Sequence, residues 1–61
     1  MKYKHKKSQG VYEVVCHAVV EATLEVVVVY RNINNPVEVW VRPIKEFYDG
    51  RFEPVSKVEI Q

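Results

Sequence analysis

The residue types best suited to binding chemistry lie in the middle and toward the end of this 61-residue chain. Trp40 and Arg42 are separated by one residue, so their side chains share a face if the segment is a strand. Tyr48, Arg51 and Phe52 follow around an Asp-Gly turn signal. Aromatic rings stack on nucleobases, and guanidinium groups hold phosphates through paired hydrogen bonds. These residues therefore predict a site for a small anionic, nucleotide-like ligand.

Two further residues complete the candidate ligand site. Tyr30 ends an apolar segment and is a third possible stacking ring, beside Trp40 and Tyr48. His5 lies in a basic segment and is a candidate phosphate contact together with the two arginines. The alternative interpretation is structural: Trp40 caps a barrel or lies in an interface, and Arg42 only forms an ion pair with Glu25.

Catalytic chemistry has little support in the sequence. The possible nucleophiles are Ser8, Cys16, Thr23 and Ser56. None of them occupies a nucleophile turn or lies beside an evident base. His5 and His17 lack the spacing of a helical metal pair, and two glycines are too few for a phosphate-cradling loop. We predict no enzyme activity, no catalytic residue, no metal and no cofactor; a zinc ion held by histidines of two subunits is the alternative.

A strand hairpin is predicted to position these residues. Segments 24–31 and 37–42 are rich in branched residues, which favour a pleated backbone, and the polar segment 32–36 has turn chemistry. Pairing Glu25 with Arg42 in the register places Val27 opposite Trp40. One face is then an apolar core formed by Val26, Val28, Tyr30, Val37, Val39 and Val41. The other exposes Val27, Val29 and Trp40 among charged residues.

The remaining segments predict a small, highly curved all-β barrel of about five short strands with one short helical turn. We expect an edge strand at 3–7, a long strand at 11–20, a helical turn at 43–47 and a closing strand that begins at Phe52, is interrupted by Pro54 and resumes at 55–60. In the long strand, Tyr12, Val14, Cys16, Ala18 and Val20 should share one side. A helix over 12–25 is the competing interpretation, because Ala, Glu and Leu are good helix formers.

Composition narrows the classes of protein that the chain can represent. Hydrophobic residues make up 48% and charged residues 28%, which is typical of a folded domain, and the length predicts one domain over 1–61. A chain this short buries only about 60% of its unfolded surface, so we expect self-association to support it. A lone cysteine and the absence of a signal-peptide or membrane-length apolar run predict a cytoplasmic location without membrane contact. A net charge of +1 argues against nucleic acid as the partner.

The chain also resembles a known family. The resemblance lies in Tyr3-Lys4-His5-Lys6, Gly10-Val11-Tyr12-Glu13-Val14, Val28-Val29-Tyr30, Trp40-Val41-Arg42-Pro43 and Phe47. These segments are similar to domain-of-unknown-function family 1653, which groups small bacterial and phage domains, and Trp-Val-Arg-Pro is the most specific of them. The chain departs from the pattern at 19–23, where only Glu21 and Thr23 are kept, and at Glu46, where the family often has Met. The resemblance implies an SH3-like barrel and no particular activity.

Three functions follow as hypotheses. The first is a non-enzymatic, homo-oligomeric protein that binds a nucleotide-like anion at a subunit interface; in a phage, such a protein could sequester a host signalling nucleotide in the infected cell and blunt defence. The second is an adaptor that docks another protein on the Trp40 face. The third, which the near-neutral charge argues against, is binding of RNA or single-stranded DNA through the basic segment 2–7.

Overall fold

The computed structural model describes residues 1–55 and shows an antiparallel β protein with one short helix. In chain order the elements are β1 (Lys2–His5), β2 (Val11–Val20), β3 (Glu25–Asn32), β4 (Asn35–Pro43), α1 (Ile44–Phe47) and β5 (Phe52–Pro54). The prediction of an all-β fold with about five strands and one helical turn is confirmed. The helix considered for 12–25 is wrong, because β2 and β3 are both strands. Most of the expected closing strand at 55–60 lies outside the described residues.

The five strands form one sheet in the order β4-β3-β2-β1-β5. The N-terminal strand was expected at an edge, and this expectation is wrong because β5 pairs with its outer side. Tyr3 lies opposite Pro54 and His5 opposite Phe52 in that pairing. The sheet curls strongly, so that the ring of Phe52 in β5 lies 5.5 Å from the ring of Tyr30 in β3, measured between centroids. We call the enclosed side the concave face and the other side the convex face.

The predicted register of the β3–β4 hairpin is wrong over most of its length. Asn32 pairs with Asn35 around a two-residue turn, which agrees with the predicted register. Residues 36–38 of β4 then form a bulge, and every later pair is shifted by three residues. Pro36 opens the bulge, and proline cannot donate a ladder hydrogen bond. As a result, Arg42 pairs with Val28 and Trp40 with Tyr30.

A shift by an odd number of residues exchanges the two faces of a strand. Trp40 and Arg42 therefore lie on the concave face with Tyr30 and Val28, and not beside Val27 and Val29. The three valines of β4 that were predicted in the core are exposed instead: Val37, Val39 and Val41 at 87%, 53% and 61%. Val27, predicted on the exposed face, is buried. Surplus apolar surface is present, and β4 has more exposed large hydrophobic residues than any other described strand.

A second bulge changes the faces of β2. The pairing with β3 skips a residue between Val14 and Cys16, so Val14 lies opposite Tyr30 whereas Cys16 lies opposite Val29. The predicted alternation therefore fails beyond Val14, and Cys16 and Ala18 lie on the convex face. His17 instead lies opposite Val28 on the concave side.

The core on the concave face consists mainly of aromatic rings. Its buried members are Val28, Tyr30, Phe47 and Phe52, with Tyr3, Tyr12, Val14 and Ile44 packed against them. The rings of Phe47 and Phe52 stack at a centroid distance of 4.3 Å and an angle of 14°. Pro43 ends β4 and α1 follows directly, which places the fully buried Phe47 over the sheet. Rings supplied from α1 and β5 thus occupy the volume that the β4 valines were predicted to fill.

Candidate ligand-binding site

A cleft of about 270 Å³ opens on the concave face. It is lined by His5, Ser8, Tyr12, Tyr30, Trp40, Arg42 and Phe52. Register and curl of the sheet explain this assembly. Trp40 lies opposite Tyr30 in the β3–β4 pair and His5 opposite Phe52 in the β1–β5 pair, and the curl brings the two pairs together across β2. All five strands contribute a residue, so the cleft exists only in the folded chain.

Arg42 is the central polar group of the cleft. Its Nε donates a hydrogen bond to the Tyr30 hydroxyl at 3.4 Å, and its guanidinium carbon lies 5.6 Å from the centre of the Phe52 ring. The hydrogen bond to Tyr30 is the main reason why the pKa of Arg42 is raised above its already high ordinary value. The side chain is 27% exposed, so a held, permanently charged guanidinium faces the cleft. Its remaining donors suit an oxyanion.

Trp40 forms the wall of the cleft nearest the sheet edge. Tyr30 opposite is buried, whereas Trp40 is 48% exposed, so one face of the cleft ends in an accessible indole. An indole in this position offers a stacking surface that the core does not use. Tyr12 adds a further ring, with its centroid 5.5 Å from that of Tyr30.

His5 is oriented by the turn that follows β1. The backbone N–H of Ser8 donates to His5 Nδ1 at 3.3 Å, and the Ser8 hydroxyl lies 3.0 Å from the same atom. An Nδ1 that accepts hydrogen bonds leaves the proton of the neutral ring on Nε2. The imidazole also packs on Phe52 at a centroid distance of 4.8 Å. The ring can therefore donate a hydrogen bond from Nε2. Ser8 orients the ring through its contacts with Nδ1.

A basic depression adjoins the cleft and shares His5 and Arg42 with it. Lys6, Lys7 and Arg51 complete its lining, and its volume is about 450 Å³. Glu46 lies 4.0 Å from Arg42 and 3.5 Å from Arg51, and Asp49 lies 3.2 Å from Arg51. Four cations face two carboxylates in this region, so positive charge is in excess beside the cleft. Such an excess attracts anions at short range, although the whole chain is nearly neutral.

The structure brings together most of the predicted ligand-site residues. Five of them line the cleft: His5, Tyr30, Trp40, Arg42 and Phe52. Arg51 lies in the adjoining depression. The ion pair of Arg42 with Glu25 that a structural role would require is absent from the described residues, because Glu25 pairs with Val20 and Arg42 approaches Glu46.

Tyr48 lies outside the cleft. Its hydroxyl is 3.3 Å from His17 Nε2, and its ring contacts Phe47 and Tyr3 at centroid distances of 5.0 and 6.0 Å. Burial is the main cause that raises the pKa of Tyr48 above its ordinary value. The prediction that Tyr48 stacks on the ligand therefore finds no support in its position. Its contacts are those of a residue that holds α1 against the sheet.

Two lining residues were not predicted to bind ligand. Tyr12 is two residues after Gly10, where a Cβ atom would approach the Tyr12 ring to 3.0 Å. The Gly-Val-Tyr spacing could therefore have identified Tyr12 as an inward-facing residue, because a glycine two positions earlier leaves room for its ring. Ser8 was considered only as a nucleophile, and its role in orienting His5 depends on turn geometry that the residue types do not encode.

Comparison with known proteins identifies the family. The family model described as "Protein of unknown function (DUF1653)" matches residues 1–57, so the chain belongs to this family, as the resemblance indicated. Neither a curated protein nor a solved structure matches the chain. The SH3-like barrel therefore stays a prediction, and residues 1–55 form one open sheet with β4 and β5 at its edges.

The described part of the chain has neither a metal-binding cluster nor a membrane-length helix. Residues 1–55 contain no group of three or more His, Cys, Asp or Glu side chains placed to hold a metal ion. None of the helical residues in that part forms a segment long and apolar enough to cross a membrane.

Proposed function

We propose that this protein binds a small nucleotide-like anion in the cleft, without transforming it, and that the binding site lies at an interface between subunits. One observation carries the proposal: Arg42 is held by Tyr30 and Phe52 beside the half-exposed ring of Trp40. A guanidinium and an accessible aromatic ring on one strand, two residues apart, match the phosphate and the base of a nucleotide.

The two halves of such a ligand have different places in the site. The cleft of about 270 Å³ is at the small end of ligand pockets, so it suits a single base rather than an extended ligand. The phosphate would extend past Arg42 into the depression that Lys6, Lys7 and Arg51 surround. His5, which borders both regions, would donate from Nε2 to the ligand at their junction.

Sequestration is the biological role that fits a binder of this kind. A protein that holds a nucleotide without cleaving it lowers the free concentration of that nucleotide, and a phage could use this to counter nucleotide-signalled defence. The phage setting comes from the family resemblance, whereas the chemistry comes from Trp40 and Arg42. Recovery of the bound nucleotide chemically unchanged after long incubation supports sequestration, and recovery of a product indicates an enzyme.

Calorimetric titration with nucleoside monophosphates, diphosphates, cyclic dinucleotides and inorganic phosphate tests the proposal. We expect micromolar or tighter binding of at least one nucleotide, accompanied by a change in the emission of Trp40, the only tryptophan in the chain. Absence of heat and of a fluorescence change at high micromolar concentrations of every compound would overturn the proposal.

A pair of arginine variants locates the site. Arg42→Gln removes the guanidinium of the cleft, and we expect affinity to fall at least tenfold, since a charge-assisted hydrogen bond contributes about 1.5–3 kcal/mol. Arg31→Gln is the matched control: Arg31 bonds to Glu13 at 2.9 Å and pairs with Val39 on the convex face. Equal losses in both variants would mean that general charge, and not the cleft, binds the ligand.

A pair of aromatic variants tests stacking. Trp40→Ala should weaken binding by about 1–3 kcal/mol, the usual contribution of base stacking on a ring. Tyr48→Phe is the control, because Tyr48 lies outside the cleft and the variant keeps its ring packing. Unchanged affinity in Trp40→Ala would exclude a stacking role for the indole.

The half-exposed Trp40 also favours a second candidate, an adaptor that docks a protein partner on this face. Exposed tryptophans are frequent anchors of protein interfaces. A partner captured by the wild-type chain and lost in Trp40→Ala, with no nucleotide binding by either protein, supports the adaptor. Binding to single-stranded RNA or DNA that falls steeply with salt would instead favour the third hypothesis.

A further inference from the structure

Strand β4 has an open edge. In the order β4-β3-β2-β1-β5, β4 pairs with β3 on one side and, within residues 1–55, with no strand on the other. The backbone N–H and C=O groups of an edge strand are available to pair with another chain. The opposite edge strand, β5, offers much less, because its three residues end at Pro54.

Beyond the bulge at residues 36–38, β4 has few of the features that protect an edge strand. Residues 37–42 contain no proline, glycine or lysine, although Pro36 and Pro43 border them. Val39 and Val41 on the convex face are 53% and 61% exposed, and Trp40 on the concave face is 48% exposed. Both sides of the edge therefore carry apolar surface, which favours an interface.

The charges on β4 are complementary to a second copy of the same strand. If two β4 strands pair antiparallel with Trp40 at the twofold axis, Glu38, the last residue of the bulge, lies opposite Arg42 of the partner subunit, and this contact occurs twice. Val39 then lies opposite Val41 of the partner subunit on the convex side. Opposite charges and branched residues facing each other across strands stabilise a sheet.

Each of these charges is incompletely matched within one chain. Glu38 is half-buried and accepts a hydrogen bond from the neutral Asn32 amide at 3.1 Å, and no cation of residues 1–55 lies within 4.0 Å of it. Arg42 approaches Glu46 only to 4.0 Å. A twofold axis at Val39 instead would place Glu38 opposite the uncharged Trp40 and leave both charges unmatched. The charges therefore select the axis at Trp40.

We propose that two copies of this chain form a dimer through antiparallel pairing of their β4 strands, with Trp40 at the twofold axis and Glu38 facing Arg42 of the partner subunit. The two sheets become one continuous sheet of ten described strands, five from each copy. Directly opposite residues have Cβ atoms about 4.5–5.5 Å apart, so the two indoles are in contact.

The dimer also completes the cleft. Trp40 forms the outer wall of each cleft, and the partner's Trp40 extends that wall across the axis. The two clefts then lie side by side on one face, with an Arg42 in each. This consequence rests on the proposed ligand binding, whereas the dimer does not.

Reciprocal charge reversal tests the pairing with the full chain and without any nucleotide. Glu38→Arg alone places two arginines opposite each other at both ends of the contact, and Arg42→Glu alone places two glutamates there. We expect each variant to be at least tenfold weaker as a homodimer than wild type, by analytical ultracentrifugation. An equimolar mixture restores both ion pairs, and native mass spectrometry should then show the heterodimer as the main dimer.

A lysine substitution tests the proposed pairing of the β4 edge independently. Val39→Lys adds a charge at the proposed interface and should yield monomers at concentrations where wild type is dimeric. Leu24→Lys is the control, because Leu24 is an apolar residue that is 75% exposed but lies in the turn between β2 and β3 and not on a strand edge. Circular dichroism verifies that each variant is folded.

Three results would overturn the dimer: a wild-type chain that is monomeric at all concentrations, a Val39→Lys variant that stays dimeric, or a charge-reversal mixture without heterodimer. Calorimetry with nucleotides is a separate measurement. A monomer that binds nucleotide rejects the dimer and the placement of the site at a subunit interface, but keeps nucleotide binding in the cleft. A β4-paired dimer without nucleotide binding rejects the ligand proposal alone.

Discussion

The two faces of the β3–β4 pair contain similar amounts of apolar side chain but differ in what covers them. On the concave face, Val28 is fully buried beneath the rings of Phe47 and Phe52, which α1 and β5 supply. On the convex face, Val39 and Val41 are more than half exposed. Identical residue types therefore have opposite burial where α1 and β5 cover one face and leave the other open. Val27, which pairs with Ala18 and Pro43, is the exception as a buried valine of the convex face. The comparison shows that covering elements, and not strand hydrophobicity, define the core.

The largest effect should come from removing a covering ring. Phe47→Ala deletes a fully buried ring that stacks on Phe52, and such changes cost about 3–5 kcal/mol. The total stability of a small domain is only about 5 kcal/mol, so we expect this variant to be mostly unfolded. Circular dichroism with urea titration measures the loss.

The neighbouring residue supplies the control for this prediction. Tyr48 is 48% exposed, and Tyr48→Ala should cost clearly less than Phe47→Ala. A folded Phe47→Ala variant that loses less than about 1 kcal/mol would show that α1 does not cover the core as the structure indicates.

An intermediate effect should distinguish the two faces directly. Val28→Thr and Val39→Thr make the same chemical change at sites that are 0% and 53% exposed. The buried hydroxyl should cost about 1–3 kcal/mol, whereas the exposed one should stay within about 0.5 kcal/mol. Urea unfolding at a concentration where the chain is monomeric separates this effect from self-association. Equal costs would refute the assignment of the faces.

The smallest effect concerns an ion pair on the convex face. The hydrogen bonds and charge of Arg31 lower the pKa of Glu13 below its ordinary value of 4.5 in the folded chain. A lowered pKa means that the pair stabilises the fold above about pH 4.5 and that this stabilisation is lost as pH falls through the lowered pKa. In the Glu13→Gln variant, we expect the free energy of unfolding to fall slightly less than in wild type as the pH is lowered through this range. The difference should be larger at low salt.

The control for the pH experiment is Glu25→Gln. Glu25 is exposed and forms no ion pair within residues 1–55. Its variant should therefore retain the wild-type pH profile. Identical profiles for wild type and Glu13→Gln would show that solvent screens the Arg31 contact completely.

Strand content was predictable from the sequence, but strand faces were not. Alternation in 37–42 is compatible with either face, and the burial of Trp40 or of the valines depends on how many residues the bulge at Pro36 contains. Hydrophobic pattern holds no information on that number. Likewise, the bulge after Val14 places His17 on the concave side, although no glycine, proline or other turn residue at this point of the sequence indicates a bulge.

The candidate site was predictable to the extent that residue chemistry determined it. Trp40 and Arg42 lie on one strand face under any register. A guanidinium beside an aromatic ring is unusual in the core of a small domain, so the pair indicated a binding site. His5 and Phe52 lie in the same cleft because β5 pairs with β1. That long-range pairing places the two residues opposite each other. Tyr48 did not join them, since one helical turn directs it toward His17.

The bulge at residues 36–38 has a consequence for how homologous chains can differ in length. Adding or deleting a single amino acid there would turn the indole and guanidinium outward and the valines inward. Losing or gaining two would preserve the orientation of every downstream side chain. Natural length variation in this connection should accordingly be even-numbered wherever the Trp-x-Arg pair is retained.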